Sequence, residues 1–163
     1  MRTLRNGWKS VTVTLIVATN GNRTLLCRKN DGIMRGFVTP VGGKVDKKDK
    51  TVKDGAKREL KEETGLDAIQ LYEAGSITVL ITGFKLKVNI HIFKCTWRGR
   101  LKDLSGEFSF LRFIPIDKIP WNKFIPGDRD WLEKILQGHR VKVNIRCGNN
   151  RTDLHEIRVQ ILP

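Results

Sequence analysis

With 163 residues, 39% of them apolar and 29% charged, the chain is long enough to bury a core and too apolar for wholesale disorder. A formal net charge of +14 favours anionic partners (nucleotides, nucleic acid, acidic lipid heads) but equally serves solubility, so it selects no function alone. Cys27, Cys95 and Cys147 stand far apart with no C-x-x-C pair, which argues against a disulfide framework or zinc knuckle and suits a reducing cytoplasm.

In chain order, Met1–Ser10 reads as a basic N-terminal extension without a signal-type core. The apolar run Val11 to Ala18 is too short to span a bilayer, so no membrane partner is expected. Val11 to Val17 alternates and is β-branched, a strand. A turn at Thr19–Asn22 leads to Arg23–Arg28, expected to pair back as a hairpin. Asn30 to Gly36 is a loop, and Phe37 to Val41 is short and extended because Pro40 keeps Thr39 out of helical geometry. After Gly42-Gly43 and a lysine-rich loop, a helix is predicted from Thr51 to Thr64. Thr51 with Asp54 forms a capping-box pattern and Gly65 is the stop. Ala68–Ala74 and Ser76–Ile81 are two candidate strands, and Lys85–Lys94 alternates cleanly as another. Phe110–Ile116 is a further strand. Asp128–Gln137 carries the apolar stripe of a second helix (Trp131, Leu132, Ile135, Leu136), with Gly138 after it. Val141–Ile145 and Leu154–Ile161 flank Gly148-Asn149-Asn150 as a terminal hairpin. With no repeat or linker, the expectation is one α+β domain spanning 1–163.

The helix ending at Gly65 carries Arg58-Glu59-Leu60-Lys61-Glu62-Glu63-Thr64. Helical geometry puts Glu59, Glu62 and Glu63 within an arc of about 100°. Crowded carboxylates beside a glycine loop suit a hard divalent cation, which prefers oxygen ligands. The competing reading is a solvated helix whose glutamates pair with Lys57, Lys61 or Arg58.

The stretch Gly43 to Leu66 resembles the signature of the Nudix hydrolases. Its second half, Arg-Glu-apolar-x-Glu-Glu-x-Gly-apolar, matches at every fixed position, on the order of a one-in-10⁷ coincidence at average residue usage. The first half departs: Gly43 to Arg58 spans 15 positions, one more than the family pattern. The glutamate that braces the arginine in the family therefore falls on Asp49 counted from Gly43, or on Lys50 counted back from Arg58.

The resemblance implies a Nudix α/β/α sandwich with a mixed sheet and two main helices. It implies Mg²⁺, with Mn²⁺ as a substitute, held by Glu59, Glu62, Glu63 and the Gly43 carbonyl. It makes Glu62 or Glu63 the base, with Arg58 and Glu107 in the catalytic set. For Glu107 the alternative is an ordinary acidic loop residue.

Ile119-Pro120-Trp121 and Ile125-Pro126-Gly127-Asp128 resemble the C-terminal segment of MutT-type diphosphatases, which remove oxidised purine nucleoside triphosphates. Those relatives read the base with a Trp-Pro-Asp-Asp element and an asparagine. Here Asp128 keeps the second aspartate, Gly127 replaces the first, Ile125 the tryptophan and Thr39 the asparagine.

Lys29, Thr39, Lys44, Asp128 and Trp131 are the expected substrate contacts. The alternatives are a helix N-cap for Asp128 and a core position for Trp131. The implied substrate is an oxidised purine triphosphate such as 8-oxo-dGTP. ADP-ribose, a dinucleotide polyphosphate, an RNA cap or a nucleic-acid-binding role remain alternatives.

Overall fold

The computed structural model describes residues 1–163. Nine strands are linked in one sheet, with β1 (Arg2–Thr3) and β7 (Phe108–Pro115) off its main path. That path runs β4 (Val38–Thr39), β3 (Arg23–Lys29), β2 (Lys9–Asn20), β6 (Leu86–Arg98), β5 (Asp67–Ile81), β8 (Arg140–Cys147) and β9 (Leu154–Leu162). The sheet is mixed: β2 runs parallel to β6, and β5 parallel to β8, while β5–β6 and β8–β9 are antiparallel.

Alternation along β2 places the sheet between two helices. Ile16 and Ala18 pack with Ala56 and Leu60 of α1 (Val52–Thr64). Val17 faces the other way, into the core that holds Trp131, Leu132 and Ile135 of α2 (Asp128–Leu136). The layering is the expected α/β/α sandwich. No helix is long and apolar enough to cross a membrane.

Three local expectations change. The β2–β3 hairpin pairs only at Thr19↔Thr24 and Asn20↔Arg23. Beyond the turn β2 is claimed by β6, and β3 pairs with β7. The two strands expected at 68–81 are one, β5, with a register shift between Glu73 and Gly75. The basic N-terminal extension joins the sheet, since Arg2 and Thr3 pair with Ser10 and Lys9, and Lys9 opens β2.

Candidate active site

The stretch Val41–Val45 lies along β2 as an irregular edge. Ile16 N donates to Val41 O at 2.8 Å, Thr14 N to Gly43 O at 2.9 Å, and Val45 N to Thr12 O at 3.0 Å. This fixes Gly43 against the C-terminal half of α1. A Cβ on Gly43 would lie 2.5 Å from the Glu59 carboxyl carbon, so any larger residue there would push the Glu59 carboxylate off the loop.

Helix α1 is registered at both ends. Thr51 Oγ1 accepts from Asp54 N at 3.1 Å and Asp54 Oδ2 from Thr51 N at 3.1 Å. Gly65 closes the helix at φ 74°, left-handed, with its N–H on Lys61 O. Leu60 and Ala56 are buried on the sheet side, which turns Glu59 and Glu63 toward the glycine loop.

Arg58 organises the rim. Its Nε and Nη2 grip Asp49 Oδ1 and Oδ2, each at 2.9 Å, a bidentate pair that holds the aspartate well below the usual carboxylate range. Asp49, not Lys50, therefore braces Arg58, and Asp46 N on Asp49 Oδ2 at 2.7 Å anchors the lengthened loop. Arg58 Nη1 also donates to Glu59 Oε1 at 2.8 Å and Glu62 Oε2 at 3.0 Å.

The three glutamates thus do not form one cluster. Glu62 is 59% exposed and held outward by Arg58, while Glu59 and Glu63 point in. No three acidic, histidine or cysteine side chains converge closely enough to hold an ion. The competing reading, glutamates paired with Arg58, describes Glu59 and Glu62 as they stand.

Glu63 differs. Its Oε1 lies 3.5 Å from Lys29 Nζ, which also donates to Gly42 O at 3.4 Å. Its Oε2 is buried without a hydrogen-bond partner. Burial pushes the Glu63 carboxyl up to about 7; Lys29 opposes this, and the charges of Glu59 and Glu107 add to it. An orphaned carboxylate oxygen in a low-dielectric pocket wants a cation or a proton. With Glu59 against Gly43 a few atoms away, this all-oxygen donor set fits a hard divalent ion. Glu107 is exposed just ahead of β7, close enough for its charge to act on Glu63.

One cavity of about 190 Å³ gathers all five expected substrate contacts, Lys29, Thr39, Lys44, Asp128 and Trp131, with Gly42 and Gly43. Its apolar wall includes Val13 and Leu15 of β2, Ile77 and Val79 of β5 and Val88 and Ile90 of β6, at the two-residue spacing of strand faces.

Asp128 is not the helix cap, for Gly127 takes that position with no side-chain cap bond. Instead Asp128 Oδ1 accepts from Trp131 Nε1 at 3.1 Å and Arg151 Nη2 at 2.7 Å. Trp131 is fully buried in the core, so it borders the cavity and orients Asp128 rather than standing free. Arg151, Ile33 and Met34 also line the cavity, and no sequence pattern singled them out.

A family model described as the NUDIX domain matches residues 8–135. A mouse protein named oxidized purine nucleoside triphosphate hydrolase is 33% identical over 124 residues, covering 76% of this chain and 78% of that protein. A zebrafish protein of the same name is 32% identical over 129 residues, 78% of this chain and 81% of the relative. The crystal structure of a MutT protein from Bacillus halodurans superposes with a TM-score of 0.80 at 22% identity, over 92% of this chain and 97% of that one.

Proposed function

The chain belongs to the Nudix family of hydrolases, and from that premise we propose that it is a Mg²⁺-dependent diphosphatase of purine nucleoside triphosphates. The proposed reaction cuts an oxidised nucleotide such as 8-oxo-dGTP to its monophosphate and pyrophosphate, the substrate class in the names of the mouse and zebrafish relatives. The observation that carries this reading is one continuous cavity. At one end Gly43 touches the Glu59 carboxylate, and at the other lie buried Asp128 and Trp131.

A divalent cation held here would supply polarisation of the diphosphate and activation of a water for attack on phosphorus. Glu59, Glu63 and the Gly43 carbonyl are its proposed ligands, and Glu62 joins them on leaving Arg58 and turning in from the rim. Lys29 and Lys44 draw the phosphates in by charge. Arg58, braced by Asp49, orients Glu59 and Glu62. Glu62 or Glu63 takes the proton of the attacking water, and Glu107 lends its charge nearby. The apolar walls exclude competing water from the base end. Three buried free cysteines suit the cytoplasm as the place of action.

Pyrophosphate released from 8-oxo-dGTP in Mg²⁺ tests the proposal. Wild type is expected to turn over and to stop on chelation, and Glu63→Gln to lose about 10²-fold or more in kcat. Equal turnover by the two proteins would refute it.

A further inference from the structure

The base end of the cavity holds an ion pair that the proposed hydrolysis leaves unused. Arg151 lies in the turn between β8 and β9, yet is only 7% exposed. Its Nη2 donates to Asp128 Oδ1 at 2.7 Å, and its Nη1 to Pro126 O at 3.3 Å and, more weakly, toward Cys147 Sγ at 3.9 Å.

The turn is tied down on both sides. Gly148 N donates to Asp153 O at 2.9 Å, Asn149 N to Asp153 Oδ2 at 2.8 Å, and Thr82 Oγ1 to the carbonyls of Cys147 and Gly148, each at 3.2 Å. The guanidinium is therefore fixed in place.

A guanidinium has five N–H donors, and Arg151 leaves Nε–H and one Nη2–H without a protein partner. Asp128 uses only Oδ1, leaving Oδ2 unbonded. Arg151 Nε and Asp128 Oδ2 are not sealed off, since Glu63 Oε2 is the one fully buried side-chain oxygen or nitrogen lacking a partner. Both residues line the cavity, so the pair, with a free donor on one partner and a free acceptor on the other, forms part of its wall. Burying such a pair costs desolvation that its own attraction often fails to offset. Its place on a cavity wall gives it another use.

We infer that Arg151 is a specificity-determining residue that contacts the nucleobase. Burial pushes the Asp128 carboxyl up and the Arg151 charge opposes this, favouring the acceptor-only carboxylate; Arg151 also sets its own N–H beside it, selecting a base edge with an acceptor next to an N–H donor. Guanine offers O6 beside N1–H, and its 8-oxo form also offers O6 beside N7–H. The unmodified O6/N7 edge carries two acceptors and leaves Asp128 nothing to receive. This inference rests on the nucleotide reading of the cavity.

Calorimetric binding of 8-oxo-dGMP and of inorganic tripolyphosphate to wild type, Arg151→Gln and Arg151→Lys tests it. Arg151→Gln is expected to weaken 8-oxo-dGMP binding about tenfold or more, the size of losing a two-point base contact. Arg151→Lys keeps the charge opposite Asp128 but not the planar fork, and is expected to recover only part of the loss. It also keeps the test open should the glutamine variant fail to fold. Tripolyphosphate affinity should stay within about twofold, because phosphate contacts carry no base information.

Equal 8-oxo-dGMP affinity in wild type and the lysine variant would overturn the inference. So would parallel loss of both ligands, or no binding by wild type. Turnover of 8-oxo-dGTP is scored separately. Arg151-dependent binding without turnover would sink the proposed function alone, and turnover with Arg151-independent binding would sink this inference alone.

Discussion

Glu63 carries an electrostatic load that its neighbours only partly relieve. Burial raises its carboxyl from 4.5 to about 7; Lys29 pulls it down, and Glu59 and Glu107 push it up. Between those two values the folded chain holds a proton that the unfolded chain has released, so stability falls as pH rises through that window. About 2.5 units at 1.36 kcal/mol each gives a loss on the order of 3 kcal/mol, complete above pH 7. Glu63→Gln is therefore expected to melt higher than wild type at pH 8 in chelator and to match it at pH 4. Added Mg²⁺ should narrow the gap, and a gap independent of pH would contradict the assignment.

Asp49 gives a second residue-scale expectation. Without its bidentate grip, Arg58 leans wholly on Glu59 and Glu62 and competes with the ion. Asp49→Ala should raise the Mg²⁺ needed for half-maximal rate by about tenfold while kcat at saturating Mg²⁺ falls less. Arg58 was legible in the sequence, but its partner was not. Asp49 and Lys50 were both open until the 2.7 Å bond from Asp46 N showed how the longer loop delivers Asp49.

Helix α1 was readable to within a residue because its signals are local. Thr51, Asp54 and Gly65 each act within a turn of the chain. Thr51→Ala removes the acceptor for Asp54 N and should cost about 1 kcal/mol in denaturant unfolding, with no change in m-value. Strand β5 was not readable, because its shape is set from outside. Gly75 looks like a break in sequence, yet it sits inside a 15-residue strand where a Cβ would strike the Val141 carbonyl of β8. Gly75→Val should force β8 away from β5 and lower the melting temperature more than Thr51→Ala does. A neutral Gly75→Val would mean that the close approach is dispensable. The same logic covers the β2–β3 turn: its sequence signals a hairpin, but the competing partners β6 and β7 lie 77 or more positions away in the register.

At the scale of the whole molecule, the site is assembled from segments that are distant in sequence, and its legibility falls with that distance. Lys29, Thr39, Asp128 and Trp131 are legible through likeness to relatives and Lys44 only through its charge, and the five meet in one cavity. Arg151 stayed invisible because an arginine in a basic chain is unremarkable until the fold carries it to Asp128, 23 positions earlier. The charge of +14 was the loudest signal and the least specific. Its physical role can be isolated, because long-range attraction acts on encounter and not on the chemical step. If the basic field gathers nucleotide, raising ionic strength from about 0.05 M to about 0.5 M should lower kcat/KM for a nucleoside triphosphate by about tenfold, with kcat nearly constant, as screening shortens the reach of the field. A kcat/KM that ignores salt would assign the excess lysines and arginines to solubility. A kcat that falls in step with kcat/KM would instead place the sensitive charges at Lys29 and Arg58, where the phosphates and carboxylates meet.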